Sequence, residues 1–136
     1  MALHIKVIPG LKIVLVKAAD TVETVDIFNL NKFLLSSKEF KPGMNQLVDI
    51  TSVDKFNVNS DDMRKIVQSD LEAEPRLKIK KTAFVTDKPH VYGMMRMYQA
   101  LSSKMKTDIG VFKEMKEACD WLNLKPEEIK SELPVQ

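Results

Sequence analysis

The chain has 136 residues, a mass of 15.5 kDa, 44% hydrophobic and 29% charged residues, and a formal net charge of +2. That is the size and composition of one ordinary globular domain. It excludes disorder by composition and gives no basis for holding nucleic acid or anionic lipid through overall charge. The lone cysteine, Cys119, excludes an internal disulfide framework and fits a reducing compartment.

The opening segment MALHIKVIPGLKIVLVKAAD is apolar, but Lys6 and Lys12 interrupt it, so it lacks the core of a signal peptide. No apolar run approaches the ~20 residues of a membrane span. The expectation is a single cytoplasmic domain over 1–136 with no integral membrane segment.

Leu3 to Ile8 alternates apolar and polar residues, as a half-buried strand does. Pro9-Gly10 signals a turn, and Leu11 to Val16 predicts the more buried partner of a hairpin. Asp20 with Glu23 three residues on suits a helix cap and capping box, which places a helix over 21–36. Val22, Val25, Ile27, Leu30, Phe33 and Leu34 form its wide apolar arc, with Phe28 and Leu35 outside it. A loop with Pro42-Gly43 at its tip leads to a short buried strand, Gln46 to Ile50. The polar stretch 51–60 reads as a connector.

Asn59 or Ser60 can cap the next helix, with Asp61 and Asp62 in its first turn at the positive end of the dipole. Met63, Ile66, Val67 and Leu71 mark its buried face, and Pro75 is expected to end it. The basic run RLKIKK (76–81) leads into a strand over Thr82 to Thr86. Pro89 opens a Met-rich helix over 90–105, with Val91, Met94, Met95, Tyr98, Leu101 and Met105 at helical spacing. Asp108 to Phe112 is the last strand. Met115, Ala118, Cys119 and Leu122 face the core from the last main helix. Pro126 starts a short helix, and residues 126–136 end in a loose tail. The order ββαβαβαβα predicts an α/β fold: an N-terminal hairpin joined to parallel strands in a mixed sheet with packed helices.

Chemistry-bearing motifs are scarce. His4 and His90 are the only histidines, and neither lies in a metal-ligand spacing. The four glycines form no phosphate-cradling loop, and no GxSxG elbow is present. The sequence therefore implies no catalytic residue, no metal and no cofactor. Asp49 ends a predicted buried strand, where ligands meet open α/β sheets; capping the following segment is its structural alternative. RLKIKK has no interleaved aromatics, so it reads as a solvated strand edge and not as a nucleic-acid contact. On the Met-rich helix, Tyr92, Arg96 and Met97 project away from the core-facing spacing and are available to a ligand, a partner or a neighbouring helix.

The C-terminal unit carries Tyr92-Gly93, Arg96-Met97-Tyr98, Val111-Phe112 and Ala118-Cys-Asp-Trp121-Leu122, in order after a strand. Upstream, FKPGMNQLVDIT (40–51) places a Gly-Met-Asn step before a strand that ends in Asp. Over residues 11–122 this pattern resembles the SpoIIAA-like proteins of the STAS and SEC14-like group of bacterial domains. The resemblance implies a mixed sheet with helices packed on it and no known reaction. STAS regulators bind protein partners and are switched by phosphorylation of a serine after the central strand. Ser60 is the nearest match, in the departing surroundings Val58-Asn-Ser-Asp-Asp62.

The expected function is a non-enzymatic STAS-like regulatory or binding domain that engages a protein partner or a small apolar ligand. Tyr92, Arg96, Met97 and Asp49 are its candidate contacts, and Ser60 its candidate phosphorylation site. The alternatives are a SEC14-like carrier of an apolar ligand or lipid, with a pocket lined by Met94, Met97 and Phe112, and an enzyme with a cleft near Asp49 and Arg96. A homodimer covering the Met/Tyr side of helix 90–105 or the hairpin edge fits the same pattern.

Overall fold

Leu3–Ile8 (β1) and Ile13–Glu23 (β2) form the expected hairpin, with Leu3 opposite Ala18 and Ile8 opposite Ile13. The structure, a computed structural model, describes residues 2–132; Met1 and 133–136, most of the expected tail, lie outside the described residues. The hairpin turn is a single 3-10 turn, Pro9–Leu11, closed by the Lys12 amide donating to the Pro9 carbonyl at 3.1 Å. Leu11 therefore belongs to the turn and not to the strand, because Lys12 at φ 53° interrupts the extended chain.

The remaining elements are α1 (Thr24–Ser36), β3 (Asn45–Asn57), α2 (Ser60–Leu77), β4 (Lys81–Val85), α3 (Pro89–Leu101), β5 (Asp108–Phe112), α4 (Met115–Trp121) and α5 (Pro126–Ile129). This is the predicted α/β order. The five strands lie side by side in chain order, with β1 antiparallel to β2 and every later pair parallel. Crossovers of one hand that always step the same way put their helices on one face. Accordingly α1, α2 and α3 pack with Val14, Val16, Val48 and Phe84, while α4 and α5 pack with Ile13, Leu15, Leu47, Ala83 and Val85 on the other.

The stretch 51–60 corrects the expected connector. Most of it is the second half of β3, paired with β2 from Ala19–Ser52 to Glu23–Asn57. Two register shifts interrupt the ladder, between Lys17 and Ala19 and between Asp20 and Thr21, and at each β3 carries one extra residue. Each extra residue flips the face its neighbours present, so no clean alternation is left to read. The bulged ribbon keeps Val22 and Val53 buried against the α1–α3 side, with Phe56 packed partly against it.

Asp20, expected as a helix cap, sits inside this ribbon at φ 61°. The cap belongs instead to Glu23, whose amide donates to Asp26 Oδ2 at 2.8 Å. On α1 only Leu30 and Leu34 are buried; Val25 (58% exposed), Phe33 (42%) and Leu35 (41%) face outward, and Phe28 packs partly against the core.

Pro75 does not end α2. The helix runs to buried Leu77 and closes with Lys78 at φ 47°, whose amide donates to the Glu74 carbonyl at 2.8 Å. Within a final turn the proline forfeits one hydrogen bond, which burial of Leu77 offsets. Helix α3 stops at Leu101, leaving Met105 in the loop before β5.

Candidate functional site

Between the sheet and α1–α3 lies a cavity of about 100 Å³, partly open to solvent. Natural cores leave few voids larger than a water molecule, so this exceeds an ordinary packing defect. Its walls are zoned. Alternation along β3 turns Gln46, Val48 and Ile50 to the cavity in succession, from polar to apolar. Helix α2 leaves the carboxyl end of β3 and returns to the start of β4. Its first half therefore sets Met63 and Ile66 over the apolar end, and its second half sets Asp70 and Glu74 over the polar end. The bulged ribbon and α1 add Val22, Phe56, Ile27 and Leu30 to the lining.

Asp70 is the centre of the polar end. The Tyr98 hydroxyl donates to its Oδ2 at 2.6 Å, and Asn31 Nδ2 donates to its Oδ1 at 2.6 Å, so one carboxylate ties α2 to α3 and α1. Burial raises the Asp70 carboxyl above the ordinary carboxylate range, against the lowering effect of these two bonds. Burial, followed by the charge of Asp70, pushes Tyr98 well above an ordinary phenol, so its hydroxyl stays protonated as a donor. Its ring meets Phe84 edge-on at 5.4 Å.

Glu74, one turn on, accepts from the Lys106 and Thr107 amides and from the Thr107 hydroxyl, pinning the loop before β5. On the sheet floor, Gln46 and Thr82 are register partners of β3 and β4, each 6% exposed. Among the described residues neither side chain makes a hydrogen bond. No lysine, arginine or histidine lines the cavity among the described residues.

The residues singled out from the sequence lie elsewhere. Asp49 is buried in β3 on the face that packs against α4, next to Leu47 in the strand. Its Oδ1 accepts from the Thr51 amide at 2.9 Å and hydroxyl at 2.6 Å, and its Oδ2 lies 3.8 Å from Lys17 Nζ. Arg96 is exposed on α3, on the opposite face of the sheet, so the structure does not bring Asp49 and Arg96 together. Tyr92 is half-buried, with Lys113 Nζ 5.1 Å from its ring centre, and Met97 packs partly against the core.

Ser60 is exposed at the first position of α2. It is not the cap: Asn59 Oδ1 accepts from the Asp62 amide at 2.8 Å, and Asp62 Oδ2 accepts from the Asn59 amide at 3.1 Å. The pocket expected at Met94, Met97 and Phe112 is also corrected, since none of them lines the cavity. Met95 holds the inward helical position instead, and Phe112 faces the other side of the sheet, where it meets Trp121 at 5.5 Å. Cys119 is fully buried, and burial pushes its thiol up.

The signal for Asp70 was present. It falls three residues after Val67 and four after Ile66, so an acid occupies the buried stripe of α2. Gln46 and Thr82 likewise alternate with Val48 and Phe84, polar residues at inward-facing strand positions.

The described residues contain no group of three or more histidine, cysteine or acidic side chains placed to hold a metal, and no helix long and apolar enough to cross a membrane. The architecture is a SpoIIAA-like fold. The chain is similar to an uncharacterized protein of the DUF3478 family with that fold from Shewanella loihica PV-4, at 18% identity and a TM-score of 0.52. The similarity covers 89% of this chain and 92% of that one. No family model matches the sequence, and no curated protein does.

Proposed function

We propose that this protein is a binding domain that holds a small apolar ligand between its sheet and α1–α3. The supporting observation is the cavity itself: an apolar enclosure with a few convergent polar groups at one end, the usual make-up of a small-molecule site. An engineered apolar cavity of about 150 Å³ holds benzene, so the space suits a compact ligand or the end of a longer one.

Benzene is the direct probe. Titrated into protein with labelled isoleucine, leucine, valine and methionine methyls, it shifts Ile50, Met63 and Met95 saturably and leaves Val25 and Leu35 in place. Shifts spread equally over the exposed methyls of α1, or none at the cavity, overturn the reading. Native mass spectrometry of freshly purified protein then shows whether a small molecule accompanies it.

A further inference from the structure

Resting on that reading, we infer that the ligand carries a hydrogen-bond-donating head, an amine in preference to an alcohol, and binds with that head between Asp70 and the Gln46–Thr82 floor. The argument is one of chemistry and placement. Gln46 and Thr82 are each more than nine-tenths buried as residues and adjacent across β3 and β4; among the described residues their side chains make no hydrogen bond, and they line the cavity. Polar groups that open only onto a cavity depend on what enters it for their hydrogen bonds, and an occupant that cannot supply them is disfavoured. A bound head group supplies here what the protein does not.

Opposite them the charge has a single sign. Asp70 and Glu74 reach the cavity wall, and among the described residues no cationic side chain does. Glu74 is occupied by the loop before β5. Asp70 keeps acceptor capacity beyond its bonds from Tyr98 and Asn31, since an ionised carboxylate has about four lone-pair sites. A ligand carboxylate or phosphate there would meet Asp70 with no counter-charge, whereas an ammonium group would be paired. The apolar end, at Ile50, Phe56 and Leu30, takes the hydrocarbon part. The cavity thus reads the sign of the head group as well as the presence of a chain.

The experiment uses n-butylamine, 1-butanol and n-butyrate at neutral pH, each titrated into the full chain and followed by the cavity methyls. The expected order is amine, then alcohol, then butyrate, with about tenfold between amine and alcohol, the margin of a charge-assisted over a neutral hydrogen bond. In Asp70→Asn that margin collapses while 1-butanol affinity holds. Gln46→Leu, which suits the buried site and should fold, weakens amine and alcohol alike and leaves benzene binding intact.

Butyrate binding as tightly as butylamine overturns the inference, as does an amine preference that survives in Asp70→Asn. Either result, with benzene still bound, leaves the binding reading standing. Failure of benzene and 1-butanol together removes that reading too.

Discussion

The two faces of the sheet are built from the same strands and differ in kind. On the α4–α5 face, Ile13, Leu15, Leu47, Ala83, Val85, Ala118 and Cys119 are nearly or fully buried. Its polar residues include Asp49, satisfied locally by Thr51 and approached by Lys17, and Asn45, the register partner of Ile13, whose Oδ1 is buried without a partner among the described residues. On the α1–α3 face the same alternation delivers Gln46 and Thr82 to a cavity that three helices do not fill. A residue's neighbour in sequence can thus sit in a core of quite different purpose: Leu47 closes one side of the sheet, and Gln46 opens the other. A sheet face can bury many apolar residues and still keep a polar-lined space: the α4–α5 layer packs a compact apolar cluster, and the α1–α3 layer combines a buried apolar cluster with polar groups and a cavity.

Three perturbations test that contrast. The largest expected effect is on the dense face. Leu47→Ala should lower unfolding free energy by about 3 kcal/mol, because a fully buried leucine leaves a cavity that rigid neighbours fill poorly. Urea denaturation measures it, and a loss under 1 kcal/mol would mean the two faces are equally loose.

Next comes Tyr98→Phe on the cavity face. It removes a donor to a partly buried carboxylate and should cost about 2 kcal/mol in the same assay. A neutral result would remove Asp70 from the structural account of this layer.

The smallest effect is a pH slope. Burial raises the folded-state pKa of Asp70 above its unfolded value. Its contribution is therefore most favourable below about pH 4 and declines as pH rises through the folded pKa. Asp70→Asn lacks this slope, so the variant should gain in Tm relative to the parent between pH 4 and pH 7. A parallel pair of Tm profiles would show that the carboxyl is unperturbed.

Much of the fold was readable because its signals are local. Turn residues at Pro9-Gly10 and Pro42-Gly43, the caps, and the 3–4 spacing of Met63, Ile66 and Val67 each act within a few residues. Local signals mislead where tertiary pairing or burial outweighs them. Asp20 has the chemistry of a cap, yet β2 continues through it because the bulged partner strand offers a ladder to Glu23. Pro75 has the chemistry of a helix end, yet Leu77 finds a buried place one half-turn later. The helical spacing marks Tyr98 as core, and it is buried, but no local signal marks a partner for its hydroxyl, because Asp70 is 28 residues away in sequence. Tyr92, Arg96 and Met97 share α3, where Arg96 is exposed and Tyr92 and Met97 are half-buried, and the cavity lies on the helix's inner side, at Met95 and Tyr98.

By itself, then, the sequence determined the element order, the hairpin and the two-sided burial of the strands. Those follow from periodicity and turn chemistry, which operate over one or two turns of chain. Only the tertiary structure decided where the space is and what faces it. The meeting of Asn31, Asp70 and Tyr98, and of Gln46 with Thr82, joins residues from five different elements. Their proximity is set by crossover direction, strand register and two extra residues in β3, each a long-range consequence of burying one face of a helix against a sheet.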